Sequence, residues 1–188
     1  MVCMAWIDYQ KAFDNVPHSW MIKYLELIWI NNKIIYFTKK AMSYWKTSMW
    51  LHTEWKIIQT EDLEIQHGIF QGNSLSPLLF SIRLIPFTEQ LNKLNTGYEE
   101  HTTKTEVSRL LYMVDLKLIG NTEEDLQKHM QVVRNFSTDI HKEFGLDKRA
   151  ETVLKTGKLV HSQNLILDFN REIQELEQGK RYTYLGIK

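Results

Sequence analysis

Apolar and polar residues alternate most clearly in residues 110–120, LLYMVDLKLIG, where an apolar run meets one carboxylate, Asp115. Alternation on both sides of such a break is typical of two short strands joined by a tight turn, so this stretch predicts a hairpin folded about Val114 and Asp115. An acid at that tip must be paired, metal-bound or solvated, because burying an unpaired charge is costly. From these residues alone, the simpler interpretation is an aspartate that caps the turn.

The spacing of apolar residues elsewhere predicts alternating strands and helices. The predicted helices lie near residues 18–30, 34–45, 76–94 and 123–144, and the predicted strands near residues 2–8, 47–51, 55–66, 108–120, 152–155, 159–167 and 181–187. This order predicts an α/β (α+β) fold of two layers, in which an antiparallel sheet has helices packed on one face.

A second acid, Asp8, follows the short apolar stretch from Ala5 to Ile7. Neighbouring strands lie about 4.8 Å apart, so side chains at the ends of two strands can share one ion. Mg²⁺ is held by few carboxylates, with water and substrate phosphates completing its shell, as in two-metal phosphoryl and nucleotidyl transfer. Asp8 and Asp115 together therefore indicate a metal site.

Composition adds less than this pattern. The chain has 188 residues, 43% of them hydrophobic, which is enough for a substantial core, and it has no apolar stretch typical of a membrane span. Its formal net charge is zero, a weak argument against nucleic-acid binding, but residues 31–56 hold five lysines interleaved with three tryptophans. That stretch fits a surface that stacks bases. The simpler interpretation is that the tryptophans lie in a core and the lysines form a solvated helix face.

Five segments, in order, resemble the palm motifs of reverse transcriptases, and specifically those of non-LTR retrotransposons: IDYQKAFDNVPHSW, GIFQGNSLSPLLF, LLYMVDLKLIG, FGLDKRA and YTYLGI. The resemblance spans nearly the whole chain. It implies a ferredoxin-like polymerase palm and one reverse transcriptase domain over residues 1–188. It also implies an RNA template, a DNA primer, deoxynucleotide triphosphates and Mg²⁺ as partners, with a nuclear location and no membrane.

The resemblance assigns the catalytic, metal-binding positions to Asp8 and Asp115. The family's hairpin carries two adjacent aspartates after an aromatic and a variable residue, whereas this chain has Val114 in the first of these places. Valine offers no oxygen ligand. We therefore expect weakened Mg²⁺ binding and a copy that is inactive or severely impaired.

Further roles follow from the resemblance, each beside a structural alternative. Phe13 would lie beneath the incoming sugar, or only anchor its loop. Gln71 and Gly72 would line the nucleotide and template pocket, or form an ordinary turn before a helix. Lys148 would protonate leaving pyrophosphate, or be an exposed lysine after a helix. The segment Tyr184, Leu185 and Gly186 would grip the primer end.

The domain boundaries limit what the chain is expected to do. Met1 lies seven residues before Asp8, so the family's fingers and most of its thumb are expected to be missing, leaving exposed apolar surface that promotes self-association. Three hypotheses follow: a catalytically silent palm, a non-catalytic nucleic-acid-binding or protein-interaction module derived from one, and an active polymerase that tolerates Val114.

Overall fold

The computed structural model describes residues 1–9, 12–72, 74–139, 144–162, 166–168, 171–173 and 175–176, with the backbone alone at residues 9, 144–149, 166–168 and 171–172. Its elements, in chain order, are β1 (Val2–Tyr9), α1 (His18–Leu27), α2 (Asn32–Met42), β2 (Lys46–Thr47), β3 (Trp50–His52), β4 (Ile57–Gln59), β5 (Leu63–Glu64), α3 (Ser76–Asn92), β6 (Tyr98–Glu99), β7 (Glu106–Val107), β8 (Arg109–Tyr112), β9 (Asp115–Gly120), α4 (Glu123–Asp139), β10 (Phe144–Lys155), β11 (Lys158–Val160), β12 (Ile166–Asp168) and β13 (Arg171–Glu172). The chain divides into two compact units, residues 1–12 with 84–188, and residues 13–83.

The first unit contains a five-stranded sheet in the order β11-β10-β1-β9-β8, in which every neighbouring pair is antiparallel. The predicted antiparallel pairing of the first strand with the hairpin is confirmed, because β1 pairs with β9 from Cys3 opposite Gly120 to Asp8 opposite Asp115. The chain start and the hairpin, more than 100 residues apart in sequence, are thus direct neighbours.

One face of this sheet is the core of the unit. Alternate residues of β1 and β9 are almost fully buried: Cys3, Ala5, Ile7, Leu116 and Leu118. Helix α4 contacts both strands and buries Leu126, Met130 and Val133, at the helical spacing the sequence shows. The alternate residues of β1 and β9 that project to the opposite side, among them Asp8 and Asp115, are half-buried, and we call this side the open face.

Helix α4 is shorter than the predicted helix over residues 123–144. It ends at Asp139, and Phe144 instead begins β10, where it pairs with Tyr9 of β1. Phe144 fits the apolar spacing of the helix, but pairing with a distant strand overrides a local helical period. The predicted break at Thr156 and Gly157 is confirmed as a two-residue turn with positive φ at both residues, 53° and 76°.

The second unit holds α1, α2 and two short antiparallel ribbons, β2 with β5 and β3 with β4. Asn31 caps α2 by accepting a hydrogen bond of 2.9 Å from the Lys33 amide. The core includes Met21, Ile35 and Phe80, whereas β3 and β4 are exposed throughout. In the residues described, no helix is both long and apolar enough to cross a membrane.

Candidate metal and nucleotide site

The β8–β9 hairpin turns one residue earlier than the sequence predicts. Tyr112 pairs with Asp115, so the loop consists of Met113 and Val114, and Met113 adopts a left-handed backbone with φ of 49°. Asp115 is therefore the first residue of β9 and not the turn-tip cap that its sequence favours. The buried positions of β9 set this register, because a shift by one residue would turn Leu116 out of the core.

Asp8 and Asp115 lie directly opposite each other on neighbouring strands. Residues opposite each other in an antiparallel pair project to the same face, with Cβ atoms about 4.5–5.5 Å apart. Both side chains are half-buried and lie on the open face. The structure thus brings together the two carboxylates that the sequence singles out.

This pair fits part of a divalent metal site. Carboxylate oxygens are the ligands Mg²⁺ prefers, and such sites keep several positions for water and substrate phosphate. Within the described ranges, no group of three or more His, Cys, Asp or Glu side chains is placed to hold a metal ion. Val114, beside Asp115 in the turn, supplies no oxygen. Among the described side chains, Asp8 and Asp115 are therefore the two carboxylates that could hold a metal ion here.

A second cross-strand pair follows the acids on the open face. Lys117 lies opposite Trp6, and its Nζ is 4.8 Å from the centre of the Trp6 ring. Leu110 of β8 is the neighbour of Lys117 on the other side, and burial lowers the pKa of Lys117. This pair is not among the site residues predicted from the sequence, although the alternation after Asp115 already puts Lys117 on the same face as the acid.

Phe13 belongs to the second unit and is anchored in its core. Its ring stacks on Phe80, with centroids 4.4 Å apart and planes 20° from parallel. Its carbonyl accepts a hydrogen bond of 2.9 Å from the Ile69 amide. The ring is half-buried, so an anchoring role and a role beneath a sugar remain compatible, because a rigid aromatic wedge must be packed.

The loop that contains Gln71 and Gly72 lines a cavity in the same unit. This cavity has a volume of about 350 Å³ and is lined by residues 68–71 with Asp14, Ile65 and His67. Both Gln71 and Gly72 are exposed. Gly68 has φ of 94°, and a Cβ atom there would lie 2.9 Å from the carbonyl oxygen of Asp14, so only glycine fits. This close approach holds the loop against the segment that follows β1.

The structure describes the remaining predicted site residues only in part. Lys148 lies within the strand β10. Its side chain is outside the described part, as are Tyr184, Leu185 and Gly186 altogether. Their roles remain predictions.

Comparison with known proteins places these features in a family. The family model described as reverse transcriptase (RNA-dependent DNA polymerase) matches residues 2–188. The retrovirus-related Pol polyprotein from the type-1 retrotransposable element R2 of Popillia japonica is 26% identical over 120 residues, which is 64% of this chain and 19% of that protein. The transposon TX1 uncharacterized 149 kDa protein of Xenopus laevis is 27% identical over 122 residues, 65% of this chain and 9% of that protein.

Solved structures with the same fold include yeast telomerases. Apo telomerase from Candida tropicalis, truncated from its C-terminal domain, gives a TM-score of 0.56 at 17% identity over 80% of this chain and 30% of that chain. Telomerase from Candida albicans, solved with a TWJ fragment of telomeric RNA, gives a TM-score of 0.52 at 13% identity over 84% of this chain and 27% of that chain. The predicted fold, an α/β polymerase palm with an antiparallel sheet, is confirmed.

Proposed function

This chain belongs to the reverse transcriptase (RNA-dependent DNA polymerase) family, and we propose that it is a reverse transcriptase domain of the non-LTR retrotransposon type whose metal site is disabled at Val114. The two curated relatives, which the chain covers to 19% and 9% of their lengths, are proteins of transposable elements. The observation that carries the proposal is the Asp8–Asp115 pair on the open face, with valine in the adjoining turn.

The proposed reaction of the parent domain is RNA-templated DNA synthesis. The primer 3′-hydroxyl attacks the α-phosphorus of a deoxynucleotide triphosphate and pyrophosphate leaves. When bound, divalent ions would lower the pKa of the attacking hydroxyl and neutralise charge on the phosphates. In this chain Asp8 and Asp115 would hold them from adjacent strands, and Mg²⁺ fits these hard oxygen donors.

The other roles that we propose concern substrate placement. Phe13 would support the sugar of the nucleotide through its stack on Phe80, and Gln71 with Gly72 would line the nucleotide and template pocket. Lys148 would give a proton to the leaving pyrophosphate. The segment Tyr184, Leu185 and Gly186 would hold the primer end. RNA template and DNA primer are the expected partners, and a nuclear location follows by analogy with the family.

Val114 is the reason for proposing impaired chemistry. Stabilisation by bound metal is typically worth several kcal/mol, and each ~1.4 kcal/mol is tenfold in rate. Loss of one direct ligand should therefore reduce the rate by at least roughly three orders of magnitude. The alternative function is a non-catalytic nucleic-acid-binding or protein-interaction module, which the exposed β3–β4 ribbon with Trp50 and Leu51 favours.

Primer extension on an RNA template tests the proposal. We expect none from this chain, either as it stands or with Val114→Asp, because it covers only a part of its relatives. In a chimera with the remaining polymerase segments of an active relative, extension should appear only with aspartate at position 114. Equal extension by the chimera with Val114 would show that Asp8 and Asp115 suffice, and the claim of a disabled site would be wrong.

A further inference from the structure

The open face presents its side chains in rows across β8, β9 and β1. Tyr112, Asp115 and Asp8 form the first row, at the hairpin end of the sheet. The next row contains Leu110, Lys117 and Trp6. Successive residues on one face of a strand are two positions apart, about 6.8 Å, so the second row directly adjoins the carboxylates.

Lys117 is held in its own row. Its ammonium lies over the Trp6 ring, 4.8 Å from the ring centre, and Leu110 is its neighbour on the other strand. A cation above an indole face is attracted by the negative face of the ring, which favours this position over free rotation in water. The contact with Trp6 thus favours a position of the nitrogen on the open face.

Two other lysines of the unit are paired with carboxylates. Lys104 lies 3.3 Å from Glu99, and Lys128 lies 3.2 Å from Asp125. Across the residues whose side chains are described, Lys117 makes neither a hydrogen bond nor an ion pair, and its recorded contact is with Trp6. A half-buried ammonium of this kind keeps its donors for an anion from outside the chain.

We infer that Lys117 binds a backbone phosphate of the primer–template duplex, next to the phosphate that the Asp8–Asp115 pair would serve. The inference rests on the proposed function and adds a contact that fixes the duplex on the open face. A phosphate is the anion expected there, because a duplex lying across the carboxylate row continues onto the adjoining row. Lys117 is a point charge, so it positions the backbone and reads no base.

Salt-dependent binding separates this contact from a structural role. The probe is a fluorescent RNA–DNA hybrid without nucleotide, titrated with the whole chain in Mg²⁺ buffer at several salt concentrations and followed by anisotropy. Lys117→Met keeps the stem over Trp6 and removes the charge, and Lys117→Arg keeps the charge. Lys128→Met is the matched control, since it removes one charge from α4, which covers the buried face.

We expect Lys117→Met to weaken hybrid binding about tenfold at low salt, since a charge-assisted contact is worth about 1.5 kcal/mol or more. The slope of log K against log salt should become shallower by about 0.9, the value for one phosphate contact. Lys117→Arg and Lys128→Met should keep the slope of the unmodified chain. Melting temperatures of all variants should lie within about 2–4 °C of that of the unmodified chain, because each variant loses at most one weak surface contact.

Four outcomes would overturn the inference. If the unmodified chain binds the hybrid and Lys117→Met leaves affinity and slope unchanged, Lys117 makes no phosphate contact, whereas the proposed function stands. If Lys117→Arg loses as much affinity as Lys117→Met and both melt early, the role is structural. If a parallel titration shows that Lys117→Met weakens the binding of deoxynucleotide triphosphate and not of the hybrid, the phosphate belongs to the nucleotide. If the unmodified chain does not bind the hybrid, the inference and the proposed nucleic-acid partner both fall.

Discussion

Replacing Val114 by aspartate is the most direct perturbation of the candidate metal site. The substitution puts a third carboxylate in the two-residue turn, next to Asp115 and close to Asp8. Val114→Asn is the matched control, because asparagine has the shape of aspartate without its charge. The turn contains no buried side chain, so both variants should fold.

The size of the effect follows from Coulomb's law. A divalent ion and one carboxylate about 4 Å apart attract by about 2 kcal/mol at the dielectric constant of water, which corresponds to roughly 30-fold tighter binding. Without metal, the same carboxylate repels Asp8 and Asp115, at about 1 kcal/mol per pair at that distance. For a chain of this size, 1 kcal/mol lowers the melting temperature by about 2–4 °C.

Calorimetric titration with Mg²⁺ and thermal melting measure the two effects. We expect the unmodified chain and Val114→Asn to bind Mg²⁺ only at about millimolar concentration or more weakly, and Val114→Asp to bind roughly 30-fold more tightly. Val114→Asp should melt earlier than the other two without Mg²⁺ and gain more from its addition. Tight binding of two ions by the unmodified chain, or no gain in affinity from aspartate at position 114, would show that Val114 does not disable the metal site.

Three further predictions concern stability and association. Leu118→Ala should lower the free energy of unfolding by about 2–5 kcal/mol in urea titrations, whereas Leu110→Ala on the exposed edge strand should change it by under about 1 kcal/mol. The double substitution Leu51→Thr and Ile58→Thr on the exposed β3–β4 ribbon should reduce concentration-dependent association in light scattering, and a monodisperse unmodified chain would contradict this. Burial lowers the pKa of His129 below its usual 6.5, so on acidification the unfolded chain takes up the proton before the folded chain does. The free energy of unfolding should therefore fall as the pH drops below about 6.5. In the His129→Gln variant the free energy of unfolding should fall less steeply over the same pH range.

The central pair of the candidate site was predictable because its position depends on the alternation of apolar and polar residues along two strands. The strand residues before Asp8 and after Asp115 alternate between buried and half-buried positions, and the structure follows this alternation. With a carboxylate at one end of each strand, only one pairing of β1 with β9 keeps the apolar residues of both strands in the core. The pairing of Asp8 with Asp115 is a consequence of burying Ile7 and Leu116 on the same face.

The details that sequence reasoning missed depend on non-local pairing. The hairpin turn lacks the Asn-Gly or Gly signal of two-residue loops, and Met113 takes the left-handed conformation instead, so the turn position was predicted one residue late. Phe144 fits a helix as well as a strand, and its pairing with Tyr9 decides between them. The contact of Lys117 with Trp6 requires the register between β9 and β1, which no local pattern supplies.

Val114 separates what the fold requires from what the proposed chemistry requires. The turn joins Tyr112 to Asp115 through backbone pairing, and the register depends on Leu116 and Leu118 in the core, so a carboxylate at position 114 contributes nothing to either. In the metal-free protein that carboxylate would add repulsion to two acids already opposite each other, so valine is the more stable choice for folding. An intact palm sheet is therefore no argument for an intact metal site. The metal dependence of stability distinguishes the two, because only a chain with the third carboxylate should gain from Mg²⁺ more than it loses to repulsion.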